Sequence, residues 1–240
     1  MADVHVIGGR VRPVALAGER TLPVIPALAG LVPGGGLRRG SVVAVAGTGA
    51  TSLAVATLAG ASQAGSWAVA VGVPTLGLAA AAELGLDLER LVLVDPPPAT
   101  QWATVVAALV DSFELVLTRP VTRVRPGDAR RLEARVRERG GVLCHLPGPT
   151  FGRDRAWPSA PDLSFAVTAS EWRGVEAGPL GAGRLRSRRV VVELTGRRQA
   201  ARPRTAELWL PAPDGTVALA RPIPTARPAA DAPAVVEEAG

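Results

Sequence analysis

The stretch Ser41-Val42-Val43-Ala44-Val45-Ala46-Gly47-Thr48-Gly49-Ala50-Thr51-Ser52-Leu53 passes from an apolar β-branched run through two glycines into a helix-forming segment. Strand, glycine loop and helix in that order make a phosphate cradle: backbone amides at the helix N-terminus face the anion, and a loop lysine neutralises it. Here Ala50 stands where that lysine belongs, and the chain has no lysine at all, its 27 Lys+Arg residues all being arginine. A later apolar run, Phe113 to Pro120, ends in Thr118-Arg119-Pro120 rather than in an aspartate that could hold a metal. The run Trp67 to Gly72 leads into Val73-Pro74-Thr75, again without an acid. Hydrogen bonds to charged groups contribute about 1.5–3 kcal/mol each, so losing three such partners weakens a nucleotide site by roughly 4–9 kcal/mol. No tight ATP binding, no hydrolysis and no cofactor are expected, and Gly47, Thr48, Gly49, Ala50, Thr51 and Ser52 read as a vestigial loop. The plainer reading is a strand-to-helix turn in which Thr51 or Ser52 caps free amides, with weak anion binding as the residual function.

Other chemistry is sparse. Cys144 and His145 are adjacent in an apolar run, so in a strand their side chains point to opposite faces and cannot form a nucleophile and base pair. With one cysteine and two histidines there is neither a disulfide framework nor a structural zinc set, which fits a reducing cytoplasm. Glu133 and Glu138 sit among arginines, and Glu133 reaches Arg137 at i+4, the pattern of a solvated, ion-paired face. The basic clusters carry more. Arg184, Arg186, Arg188 and Arg189 lead into Val190-Val191-Val192, and Arg197, Arg198, Arg202 and Arg204 surround the next turn, so one end of a C-terminal hairpin is expected to be strongly positive. Arg153-Asp154-Arg155-Ala156-Trp157-Pro158 forms a second cluster, where arginines could track phosphates and Trp157 could stack on a base of single-stranded DNA. Equally, these clusters suit an acidic protein partner, solubility, or a tryptophan anchoring its own loop. Trp172 and Trp209 lie inside strand patterns and read as packing residues.

The net charge of +6 favours nucleic acid, acidic proteins or anionic surfaces without choosing among them. Absence of Lys, Asn and Tyr beside abundant Ala, Gly, Pro and Arg points to coding bias, which discounts the arginine enrichment. The first residues, Met1-Ala2-Asp3-Val4-His5, lack a basic segment followed by an apolar run, and no interior stretch is long and apolar enough to span a bilayer, so a soluble cytoplasmic chain without membrane contact is expected.

These sites need a scaffold. Prolines 13, 23, 26 and 33 and the triplet Gly34-Gly35-Gly36 predict an extended lead-in over 1–40 with at most a helical turn near Ile25 to Leu31. Fully apolar runs Val42 to Ala46, Trp67 to Val71, Leu91 to Val94, Leu115 to Thr118 and Val142 to His145 predict buried strands. Helix-compatible stretches alternate with them: Thr51 to Ala64, Leu76 to Leu84, Thr100 to Asp111 and Pro126 to Arg139. Such alternation implies an α/β fold with a mostly parallel sheet flanked by helices. Leu163 to Glu171, Arg188 to Leu194 and Thr205 to Leu210 alternate apolar and polar residues and predict antiparallel strands extending that sheet. The core therefore spans 41–211, and a Pro/Ala-rich tail over 212–240 is expected to be mostly disordered.

The segment Leu28 to Val43, with Gly34-Gly35-Gly36-Leu37-Arg38-Arg39-Gly40-Ser41-Val42, resembles the opening of the ATPase core in bacterial RecA recombinases; Glu83-Leu84-Gly85-Leu86-Asp87 with Leu91 is similar to a second segment of that family. Order and spacing agree from about residue 28 to 210. The resemblance implies a RecA-like core in which Ala50 falls at the Walker lysine, Arg119 at the Walker B aspartate and Val73 at the catalytic glutamate. It also implies that the first DNA-binding loop is replaced by the Pro126 to Arg139 region and the second survives only as a shortened 147–161. The combination, with Arg202-Pro203-Arg204 and Leu208-Trp209-Leu210-Pro211, looks like the actinobacterial ImuA-prime accessory proteins of damage-induced mutagenesis. That family implies a non-catalytic member of a mutasome, bound to a Y-family-polymerase-like scaffold and an error-prone replicative-type polymerase; single-stranded DNA is the further partner that the arginine clusters suggest. A SulA-like inhibitor of cell division or of the recombinase, and an ATPase with an atypical loop, are the alternatives.

Overall fold

Pro26 opens the first helical turn and Gly30 closes it, so the chain enters the fold through short pieces. A computed structural model describes residues 20–147, 157–174 and 185–220. In chain order the elements are β1 (Thr21–Pro23), α1 (Pro26–Ala29), β2 (Gly36–Arg38), β3 (Ser41–Gly47), α2 (Ala50–Gln63), β4 (Ala68–Val71), α3 (Leu78–Glu83), β5 (Leu91–Val94), α4 (Trp102–Ser112), β6 (Leu115–Thr118), α5 (Pro126–Arg139) and β7 (Val142–His145). Four strands follow, β8 (Leu163–Arg173), β9 (Ser187–Gly196), β10 (Arg204–Trp209) and β11 (Ala218–Leu219).

Nine strands form one sheet in the order β11-β10-β9-β8-β3-β7-β6-β4-β5. The six from β8 to β5 pair in parallel, as the fully apolar runs require of strands covered on both faces. One expectation is corrected here. Strand β8 was expected to begin the antiparallel extension, but it pairs in parallel with β3, Val43 opposite Leu163 and Gly47 opposite Val167, and the antiparallel part starts at β9. Its alternating pattern belongs to a strand whose far half is solvent-exposed, from Thr168 to Arg173.

Two apolar clusters cover the faces. One joins β1, α1, α2 and α3 to the sheet through Leu28, Leu53, Leu58 and Phe165, each at most 2% exposed. Burying such a side chain contributes about 1.5–3 kcal/mol. The other packs α4 and α5 on the opposite face through Val106, Val110, Leu132 and Val136. In α5 the buried Ala129, Leu132 and Val136 recur at helical spacing, Pro126 stands in the first turn and Gly140 takes the left-handed C-cap. The lead-in contributes to the first cluster: β1 and β2 form an antiparallel pair, and Leu22, Leu31 and Leu37 are buried. At the other end, residues 212–220 include the buried Ala212 and strand β11, which pairs with β10.

Candidate functional site

Because β3 lies mid-sheet between β7 and β8, its C-terminal end projects the glycine loop onto the rim where strand ends of a parallel sheet converge. Gly47 (φ 94°) and Gly49 (φ 81°) both take left-handed backbone, which places Gly49 as N-cap of the fourteen-residue α2. No side chain caps this helix, so the capping role expected of Thr51 or Ser52 is corrected. The Thr51 hydroxyl instead accepts a hydrogen bond from Nη2 of Arg119 at 3.0 Å, at the end of β6. Arg119 Nε is buried and, among the described residues, has no partner.

A second guanidinium closes the loop from the other side. Arg188, on β9, is 4% exposed, and its Nε donates to the Leu210 carbonyl at 2.8 Å. A Cβ built on Gly49 would lie 2.0 Å from Arg188 Nη1, so the guanidinium packs directly on the loop and only glycine leaves it room. The Trp172 ring, 44% exposed, stacks with the guanidinium at 5.1 Å. Arg188 Nη2 is buried without a partner among the described residues, and burial pushes its pKa down. Two cations thus meet the N-terminus of a helix whose dipole already favours negative charge. Arg188 was expected in a basic cluster facing DNA or a protein partner, and Trp172 in packing; Arg188 is instead buried against the loop, and the signal that joins both to it is strand register, Arg188 opposite Trp172 on β8, itself beside β3.

The remaining candidates do not gather into one surface. Trp157 is 1% exposed, stacks on His145 at 4.9 Å and donates from its indole nitrogen to Glu133 at 3.0 Å. Its expected role as a platform for a DNA base is therefore corrected: the ring is core. Glu133 is not the solvated member of an ion-paired face either; it also accepts from Ser159, and its contact to Arg137 is a long 4.0 Å. Arg153, Arg155 and Arg184 lie outside the described residues, as does most of the 147–161 loop. The expected single basic end of the hairpin is split. Strand β9 spans ten residues, about 33 Å, with Arg186, Arg188 and Arg189 at its start and Arg197, Arg202 and Arg204 past its finish. Arg186, Arg202 and Arg204 are exposed, whereas Arg189 pairs with Glu207.

Cys144 and His145 face opposite sides of the sheet, as their adjacency predicts. Cys144 belongs to the α2 face, and His145 packs on Trp157 of the α4/α5 face. Burial pushes the Cys144 thiol up to about 12. Native protein should therefore resist iodoacetamide at pH 8 for hours, and denatured protein should be modified at an ordinary thiol rate; fast native labelling would contradict the packing. Among the described residues no group of three His, Cys, Asp or Glu could hold a metal ion, and no helix is long and apolar enough to cross a membrane.

This sheet order with a glycine loop after its central strand defines a RecA-like α/β fold. The solved RadB recombinase is similar to it, with a TM-score of 0.55 and 17% identity over 82% of this chain and 97% of that one. Residues 30–152 match the family model of the MT3502 N-terminal domain, and the chain belongs to that family. A curated relative, the uncharacterized protein Rv3395c of Mycobacterium tuberculosis, is 40% identical over 109 residues, or 44% of this chain. The match spans about half, 52%, of that relative's length.

Proposed function

We propose that this protein is a non-catalytic RecA-like module of the ImuA-prime type, which supports error-prone translesion synthesis in the damage response by binding polymerase-type partners. The observation that supports it is the pair of guanidiniums in the cradle. Arg119 bonds the threonine hydroxyl that would otherwise face a magnesium ion, and Arg188 packs where the loop would close on phosphate. Arginine stays protonated at any working pH, so a divalent cation is repelled from this position. On this reading the residues present do not fit a magnesium nucleotide, and the fold works through its surfaces, including the exposed Trp172, Arg186, Arg202 and Arg204.

Titrating ATP with Mg²⁺ and following phosphate release tests the non-catalytic half. No saturation below the millimolar range and no turnover are expected; micromolar affinity with steady turnover sinks the proposal. Co-purification after DNA damage tests the partner half. Recovery of a Y-family-type scaffold with an error-prone replicative polymerase is the expected result, whereas recovery of a tubulin-like protein, or of recombinase alone, assigns the chain to an inhibitory role.

A further inference from the structure

At the end of the sheet opposite the glycine loop, the starts of β3 and β8 and the 3-10 turn Arg198–Ala200 line a half-open cavity of about 360 Å³. Ser41 is among its lining residues; it is 2% exposed, and its buried hydroxyl has no hydrogen-bond partner among the described residues. A buried hydroxyl in a folded protein is met by protein, water or ligand. Arg38, Arg197 and Arg198 line the same cavity, and neither Arg197 nor Arg198 forms an ion pair among the described residues. Against these three cations stands one acid, Asp162, whose Oδ2 is already engaged by the Val42 amide at 3.0 Å.

The turn that supplies the arginines is held in a costly shape. Arg198 has φ 56°, the one non-glycine residue with left-handed backbone among those described. It is kept there from both sides: the Arg197 amide donates to the Asp162 carbonyl at 3.0 Å, and the Ala201 amide donates to the Arg198 carbonyl at 3.0 Å. Just before the turn, Gly196 approaches so closely that a Cβ there would lie 2.2 Å from the Asp162 carbonyl oxygen. Backbone strain that its surroundings enforce concentrates where a site needs a side chain placed.

We propose that this cavity binds a small organic phosphate or carboxylate without a metal ion. The forked guanidiniums of Arg197 and Arg198 take the anionic group, for which arginine geometry is suited, and the Ser41 hydroxyl donates to one of its oxygens. Pro33, Leu163 and Ala200 offer the apolar wall for the body of the ligand. The volume lies at the small end of ligand cavities, which run from about 300 to 1,000 Å³, so the occupant is a small molecule rather than a polymer. The site shares no residue with the cradle, and the proposal stands whether or not the cradle binds nucleotide.

The test is an amide-shift titration of the full-length ¹⁵N-labelled chain with inorganic phosphate and with citrate. Saturable shifts are expected at Val42, Leu163 and Gln199. Arg197→Gln should weaken them about ten-fold, the effect of removing one charge-assisted hydrogen bond. Arg198→Gly removes the charge and also relieves the left-handed backbone, so the melting temperature should hold or rise while affinity falls; this separates a binding residue from a structural one. Arg119→Gln, in the cradle, should leave the shifts at Val42, Leu163 and Gln199 unchanged. Shifts confined to residues 47–52, affinity indifferent to both Arg197→Gln and Arg198→Gly, or shifts that only a single-stranded oligonucleotide produces, would each overturn the assignment.

Discussion

Gly47→Ala should lower folding stability by about 3 kcal/mol, whereas Gly65→Ala should cost about 1 kcal/mol. Both glycines take left-handed backbone, φ 94° and φ 101°, so the conformational penalty of a side chain is similar at each. They differ in what the new methyl meets. At Gly65 nothing lies within 4 Å, while at Gly47 the Cβ would sit 2.4 Å from the Val167 carbonyl oxygen and 2.9 Å from its nitrogen. Those are backbone atoms of the paired strand, so relief requires β3 and β8 to separate at the point where Gly47 faces Val167. Urea denaturation of the two variants measures the difference. Equal losses would mean that the close pairing of β3 and β8 at the loop is wrong.

Acidification should destabilise the protein between pH 6.5 and 4, by about 3 kcal/mol in total from His145 alone. Burial pushes its pKa down to about 4, against a smaller opposing pull from the Glu133 carboxylate. In the unfolded chain the imidazole protonates near its ordinary value of about 6.5. Between those two values the unfolded state binds the extra proton and the folded state does not, so stability falls as pH falls and levels off below pH 4. His145→Phe keeps a ring against Trp157 and removes the proton site, together with an Nε2 that has no partner among the described residues. Its stability should lose most of that slope, read by urea denaturation at pH 7, 5.5 and 4.5; an unchanged slope in the variant moves the acid sensitivity elsewhere.

Local chemistry was legible from residues alone. Pro126 with Gly140 bounds α5 at Pro126–Arg139, and the β-branched runs at Leu91–Val94, Leu115–Thr118 and Val142–His145 are strands at those residues. In each case the signal lies within a few positions of the residue it concerns. The same holds for the strand, loop and helix order around 47–52, where β3 ends at Gly47 and α2 begins at Ala50. What escaped depends on partners distant in sequence. Trp157 is core because His145 from β7 and Glu133 from α5 meet it, and nothing beside Trp157 announces either. Arg188 reaches Gly49 only through the register of three adjacent strands, shifted by an irregularity between Val167 and Ala169. The unpaired hydroxyl of Ser41 is likewise invisible until the turn after β9 folds back across it.

Arg188 is anchored by the last strands of the fold, its side chain on Leu210 and its backbone paired with Leu210 and Pro211. The stretch shared with the MT3502 family, residues 30–152, stops well before them. The loop and the guanidinium packed on it thus come from either side of residue 152, Gly49 inside the shared stretch and Arg188 beyond it. A lysine returned to position 50 would still leave the Arg188 guanidinium packed on Gly49, a contact supplied from β9 rather than from the loop itself.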